Sequence, residues 1–351
     1  MVSLYKALEV LYRILLYGFL PYVMWLNYGL SLEQVLTILA TVFVMDTFCE
    51  ACGWVVYRSG EFHVIKGLFS AYMFTAVLVL TALLLNLDIS FIYLPIIAVL
   101  GVVAFLFSSR NRIFNPFGFT AMTFLTLTVL LATLLTPAYA FLPFVFGILS
   151  FILIRRGFEE ANIGFLYRIG MYIRLGLSLI ITVFLAIIFF KEMFAYLLSH
   201  SMFIFKDCDL SVIPSIFLYN SLIASFEEFI GRGFIPFVSA GLCSYVFSSL
   251  HIPKLITIGF TELDTIMHAH GFSTFSTIYT LLCSITWICL GTMLFVETWR
   301  KSGLLGSILV HAIVNTVIFM IALGMTHIVM ILTIVLMIMH YIWGRKTGFQ
   351  T

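Results

Sequence analysis

Residues 225–251 read SFEEFIGRGFIPFVSAGLCSYVFSSLH. Two adjacent glutamates, an arginine and a histidine stand here inside apolar sequence long enough to cross a bilayer. A carboxylate in hydrocarbon is costly, so ionisable residues at such depth usually face a protein interior or a water-filled cavity. The stretch therefore bears on two questions together. It reads as membrane helix, and it places chemistry inside that helix. Further along the chain, a second apolar segment carries His311 and Asn315.

The rest of the chain has the same character. Of 351 residues, 62% are hydrophobic and only 10% charged, against about 25% charged in a typical soluble domain. Apolar runs of about 20 residues recur from end to end, which predicts an all-α, polytopic integral membrane helix bundle. The short alternating strands of a membrane β-barrel are absent from the pattern. About twelve transmembrane helices are expected. Their bounds fall near 11–30, 35–57, 67–87, 89–107, 117–135, 138–154, 169–190, 215–238, 242–260, 275–298, 304–323 and 328–343. The first run is full length and lacks a small-residue cleavage site, so no signal peptide is expected. The net charge of +2 gives no basis for a nucleic-acid partner. Membrane lipid is the expected surrounding, and the sequence leaves the oligomeric state open.

Basic residues alternate between loops. Lys6, Arg58 and Lys66, Arg110 and Arg112, Arg155 and Arg156, Arg300 and Lys301, and Arg345 and Lys346 all fall on one side of the expected bundle. By the positive-inside rule both termini are cytoplasmic, in a multi-pass protein of the cell membrane. Residues 1–165 form an N-terminal helical bundle of open role, and 166–351 the part that bears the motifs, with a core at 215–323.

Outside that core the polar residues read as structural. Asp46 and Glu50 lie four apart on one helix face, where they would meet Arg13 or line a cavity wall. Glu159 and Glu160 repeat the twin-glutamate pattern, but in a polar loop beside Arg155 and Arg156, with no arginine at the right offset after them. Residues 191–210 are expected to form an amphipathic outer loop. Residues 261–273, with Glu262, Asp264, His268 and His270, form a second loop or lid whose spacing matches no metal site. The six cysteines, including Cys49 and Cys52, read as small buried hydrophobes rather than a disulfide framework.

Depth brings the remaining polar residues together. Ser239-Ala240-Gly241 is the natural turn between two crossings. Glu227 and Glu228 precede it, and His251 follows it, by roughly 15–20 Å at the helical rise of about 1.5 Å per residue. His311 lies at a comparable depth, roughly 15 Å beyond Lys301. Helix faces then sort the roles. Glu228 and Arg232 are four apart, in the favourable order for a pair. Glu227 points about 100° away and is left without that partner. In an apolar surrounding it would act as a general base near neutrality. His311 and Asn315, also four apart, project together and could hold an oxyanion developing on a carbonyl.

Glu227-Glu228-x-x-x-Arg232, Phe247-x-x-x-His251 and His311-x-x-x-Asn315 resemble the three signature motifs of the CPBP family. This is the CAAX protease and bacteriocin-processing (Abi) family of intramembrane glutamic endopeptidases. The run GLLGSILVHAIVNT before and through the last motif resembles the family's lead-in. The resemblance covers 215–323 and implies a peptidase acting in a membrane-enclosed cavity, on a membrane-associated protein or peptide, by CAAX-type or leader-peptide processing. It implies that Glu227 activates water with His251, and that His311 and Asn315 bind the oxyanion. Glu228 and Arg232 would support the site through their pair, and Phe247 would shape its wall. No cofactor or metal is called for. Two features depart from the family: a short gap between the glutamates and His251, and additional N-terminal crossings.

Two other readings compete. Two histidines and two glutamates could make a metal-dependent peptidase, although no H-E-x-x-H is present. A non-catalytic immunity or scaffold protein of the same fold would use the same residues only to brace the bundle.

Overall fold

The computed structural model describes residues 10–57, 114–136, 138–199, 209–229, 232, 240–256, 260–269 and 271–347, with isolated positions at 7, 99, 102, 103 and 106. All regular structure among them is helical, with no strand. In chain order the helices are α1 (Val10–Tyr28), α2 (Leu32–Val55), α3 (Pro116–Leu134), α4 (Ala138–Glu160), α5 (Phe165–Ser199), α6 (Ile213–Glu228), α7 (Ala240–Lys254), α8 (Phe260–Ala269), α9 (Thr274–Ala322) and α10 (Thr326–Thr347).

Eight helical stretches among the described residues are long and apolar enough to cross a membrane, as in a multi-pass membrane protein. The spans expected at 67–87 and 89–107 lie almost wholly outside the described residues. The span expected at 242–260 lies only partly within the described residues: α7 covers 240–254, with Pro253 in its last turn, and residues 257–259 fall outside them. The expected outer loop 191–210 is corrected too, because α5 runs on to Ser199. Glu159 and Glu160 end helix α4 rather than occupying a loop, each paired one turn back, Arg155–Glu159 at 2.7 Å and Arg156–Glu160 at 2.8 Å. The expected lid at 261–273 is largely the helix α8. Its Phe260 and Met267 are fully buried, and Gly271, at φ 78°, closes its C-terminus by donating to the His268 carbonyl at 2.9 Å.

At 49 residues α9 would be about 73 Å long if straight, far beyond the roughly 30 Å of a bilayer core. It is two arms that meet at Gly303, whose φ of 77° and ψ of 178° suit only glycine. Phe295 and His311 would stand about 24 Å apart in one straight helix. Their rings stack with centroids 4.2 Å apart, so the second arm folds back along the first. Asn115 secures the bend. Its Oδ1 caps α3 by accepting from Phe117 and Gly118, while its Nδ2 donates to the Lys301 carbonyl at 3.1 Å.

The chain divides into two compact units, each drawn from three separate stretches. The first takes 1–88, 140–198 and 237–292. Here Ala51, Ile154, Phe158, Met171 and Leu175 form a cluster with Trp54 against it. Gly157 presses onto the Trp54 carbonyl, leaving no room for a side chain. Asp46 is wholly buried and bound to Arg174; Glu50 is bound to Arg174 as well, with Arg13 at 3.6 Å. The cysteines Cys49, Cys52, Cys283 and Cys289 are buried and unbridged, and Cys52 donates to the Cys289 carbonyl at 3.2 Å. The second unit takes 89–139, 199–236 and 293–351. In it α10 packs on α3, with the rings of His340 and Phe117 4.6 Å apart and His340 Nδ1 3.3 Å from the Thr120 hydroxyl.

Candidate active site

The second unit holds a buried polar cluster built from the end of α6 and the returning arm of α9. Glu228 is fully buried at the C-terminus of α6. Its Oε1 receives Arg232 and, at 2.9 Å, the Nδ1 of His311. Its Oε2 accepts the Ser307 hydroxyl at 2.5 Å. A carboxylate taken out of water is stable only if charged and hydrogen-bonding partners replace its hydration. One ion-pair partner and two hydrogen-bond donors do so here.

Ser307 and His311 sit one turn apart on the same face of the returning arm. Ser307 lies 3.3 Å from the Phe295 carbonyl, and the His311 ring lies nearly parallel to that of Phe295, at 21°. The bend at Gly303 thus brings the wall of the first arm behind the imidazole. Packed on one side and bonded at Nδ1, the ring has one orientation. Its Nε2 then faces Glu227, 3.4 Å away. That separation is long for a direct hydrogen bond. Glu227 keeps 27% of its side chain exposed, whereas Glu228 has none.

A single imidazole therefore has a carboxylate at each nitrogen, one locked and one open. With both glutamates ionised, Arg232 alone leaves one net negative charge. A proton at Nε2 would lie where it can be shared with Glu227 or offered to an incoming oxygen.

Of the residues singled out in the sequence, Glu227, Glu228, Arg232 and His311 are brought together in this cluster. Asn315 follows His311 by one turn and is half-buried, and its side chain makes no hydrogen bond among the described residues. Phe247 and His251 belong to the first unit. There the His251 Nδ1 lies 2.7 Å from the Phe247 carbonyl, and the two rings are 4.6 Å apart. A carbonyl oxygen only accepts, so the Nδ1 carries the proton and, in the neutral ring, Nε2 keeps its lone pair. That is the tautomer a general base requires.

Two members of the second unit's polar interior were not singled out. Ser307 stands four residues before His311, and this spacing was its only local signal. Asn220, two turns before Glu227, is buried and donates to the Thr316 hydroxyl at 3.1 Å. Among the described residues no group of three His, Cys, Asp or Glu side chains is placed to hold a metal ion. Asp264 instead accepts from Thr277 at 2.8 Å. Comparison of the chain with protein-family models, with curated proteins and with solved structures finds no match.

Proposed function

We propose that the protein is an intramembrane peptidase of the kind its three motifs resemble, hydrolysing a peptide bond of a membrane-associated protein or peptide. One observation carries the reading: the His311 imidazole held by a locked Glu228 and turned toward a partly exposed Glu227. A brace alone would need the first carboxylate, not the second.

In this reading Glu227 takes a proton from water as the water oxygen attacks the carbonyl carbon of the scissile bond. The carbonyl electron pair moves onto its oxygen, and the Nε2–H of His311 steadies that charge, joined by Asn315 as the resemblance implies. The electrons return, the C–N bond breaks, and the proton held by Glu227 passes to the leaving nitrogen. The resemblance implies a further base in His251, a role that its tautomer suits. Both termini are proposed to be cytoplasmic, in the cell membrane.

The test is reconstitution. The full chain in liposomes, offered a library of membrane-protein fragments, should cleave peptide bonds. The Glu227→Gln chain should be folded and inert. Equal cleavage by both chains would reject the proposal.

A further inference from the structure

The N-terminal helices have no part in the chemistry just described, yet they hold the helix that carries His251. α7 has two faces. Gly241, Ser244, Tyr245, Ser248, Ser249 and Ile252 are buried within the first unit. Phe247 and His251, half-buried, project about 200° and 240° around the helix from Tyr245 at roughly 100° per residue.

The buried face is fastened to α1 and α2 at several points. Gly241 and Gly53 cross backbone to backbone: a Cβ on Gly53 would meet the Gly241 carbonyl oxygen at 2.6 Å and the Tyr245 Cβ at 2.8 Å. The Tyr12 hydroxyl of α1 donates to the Ser249 carbonyl at 3.0 Å. Tyr245 reaches Asp46 of α2 at 3.5 Å. Asp46 is in turn held by Arg174 and by the Tyr17 hydroxyl at 2.8 Å. Tyr17 lies in a π-helical turn, Leu15–Phe19, next to Pro21, which has no N–H for the Tyr17 carbonyl. Packing alone does not call for a charge at position 46, because apolar residues of similar volume commonly replace a buried ion pair without loss of stability. What the charge adds is direction: it holds Arg174 and Tyr17, and the Tyr245 hydroxyl of α7 lies at the edge of its reach.

We propose that α1 and α2 are the mounting that sets the rotation of the His251 helix. In it Asp46 and Tyr245 are positioning residues, and the Gly53–Gly241 crossing is the pivot. The inference rests on the reading of His251 as a reactive side chain, and gives the additional N-terminal helices a function in that reaction.

The test uses the full chain in lipid, with Cys208 and Cys243 replaced by serine, spin labels on His251→Cys and Leu166→Cys, and the distance between them measured. Leu166 of the first unit is 83% exposed, which suits a reference label. Adding Gly53→Leu should displace the His251 label by several ångströms; a full one-residue rotation would move it roughly 8 Å at side-chain radius. Adding Asp46→Asn or Tyr245→Phe, which keep the local shape, should widen the distance distribution. In the chain with His251 intact, the same two variants should lower kcat by about a hundredfold with KM unchanged, the loss expected from a displacement of about 1 Å. Folded variants with the parental distance and width would overturn the proposal, and Asp46→Asn and Tyr245→Phe decide it if Gly53→Leu does not fold. Shifted distances in a chain that hydrolyses nothing would uphold the mounting and reject the peptidase.

Discussion

His311 donates from Nδ1 to Glu228 across 2.9 Å, inside a cluster where Glu228 is fully buried. This bond separates two neighbouring glutamates that a motif writes as a pair. Glu228 is committed to Arg232, Ser307 and His311, and Glu227 is the one left to meet a substrate.

The two glutamates should therefore fail in different ways. Glu228→Gln leaves Arg232 as an uncompensated buried charge, and should destabilise the protein by about 3–5 kcal/mol. Glu227→Gln should cost under about 1 kcal/mol and abolish turnover. Unfolding in detergent, followed by helical circular dichroism, measures the first effect. Peptide cleavage measures the second.

Ser307→Ala removes a hydrogen bond to an ionised group, and should lower stability by about 1.5–3 kcal/mol. Activity should fall with it, since the His311 ring loses the carboxylate position that orients it. Thermal unfolding and cleavage rate on the same preparation check both. A variant with parental values for each would show that Ser307 merely fills space.

Arg174→Ala should be among the most damaging changes in the first unit, by about 3–5 kcal/mol, because it strands Asp46 and weakens the hold on Glu50. Adding Asp46→Leu to the same chain should recover most of that loss. Without recovery, Arg174 would be contributing through its packing, for example over the Phe43 ring 5.7 Å away, rather than through its charge.

Acid stability should depend on Glu192, which lies beyond the membrane-length part of α5 that ends at Ile188. Hydroxyls of Ser276 and Ser273 donate to this carboxylate and hold it below its ordinary range. A group lowered on folding stabilises the protein fully above its unfolded pKa of about 4.3, and loses that contribution as the pH falls through the folded value. Glu192→Gln should therefore flatten the fall in melting temperature below about pH 4 and leave the pH 7–8 region with a constant offset.

Exhaustive chelation should leave hydrolysis unchanged. An ion pair with Arg232 and hydrogen bonds from Ser307 and the Nδ1 of His311 already engage the oxygens of Glu228. A zinc site built from these groups would first have to break those bonds. Loss of activity on chelation, with recovery on adding zinc, would instead establish the metal-dependent reading.

Local spacing made part of this legible and long-range pairing did not. The Glu228–Arg232 offset and the depth of His311 follow from helix geometry, whereas the bonds from His311 and Ser307 to Glu228 do not. Arg174 could not be named as the partner of Asp46, since 128 residues separate them and no local rule chooses among distant cations. Helix α8 was hidden for another reason: Glu262, Asp264, His268 and His270 look like a solvated loop, and they outweighed the short stripe of Phe260, Leu263 and Met267. The end of α5 was hidden because its charged residues, Lys191 and Glu192, look like a helix exit. Glu192 is instead drawn to the start of α9 by the Ser273 amide and hydroxyl.

The most direct measurement labels the new chain ends. Membranes carrying the parent chain or Glu227→Gln, at matched levels of folded protein, are incubated in water enriched in oxygen-18, and peptide termini are mapped by mass spectrometry. Hydrolysis at Glu227 predicts carboxyl termini bearing oxygen-18 that are present with the parent and missing with Glu227→Gln. The same termini in both membranes would contradict it.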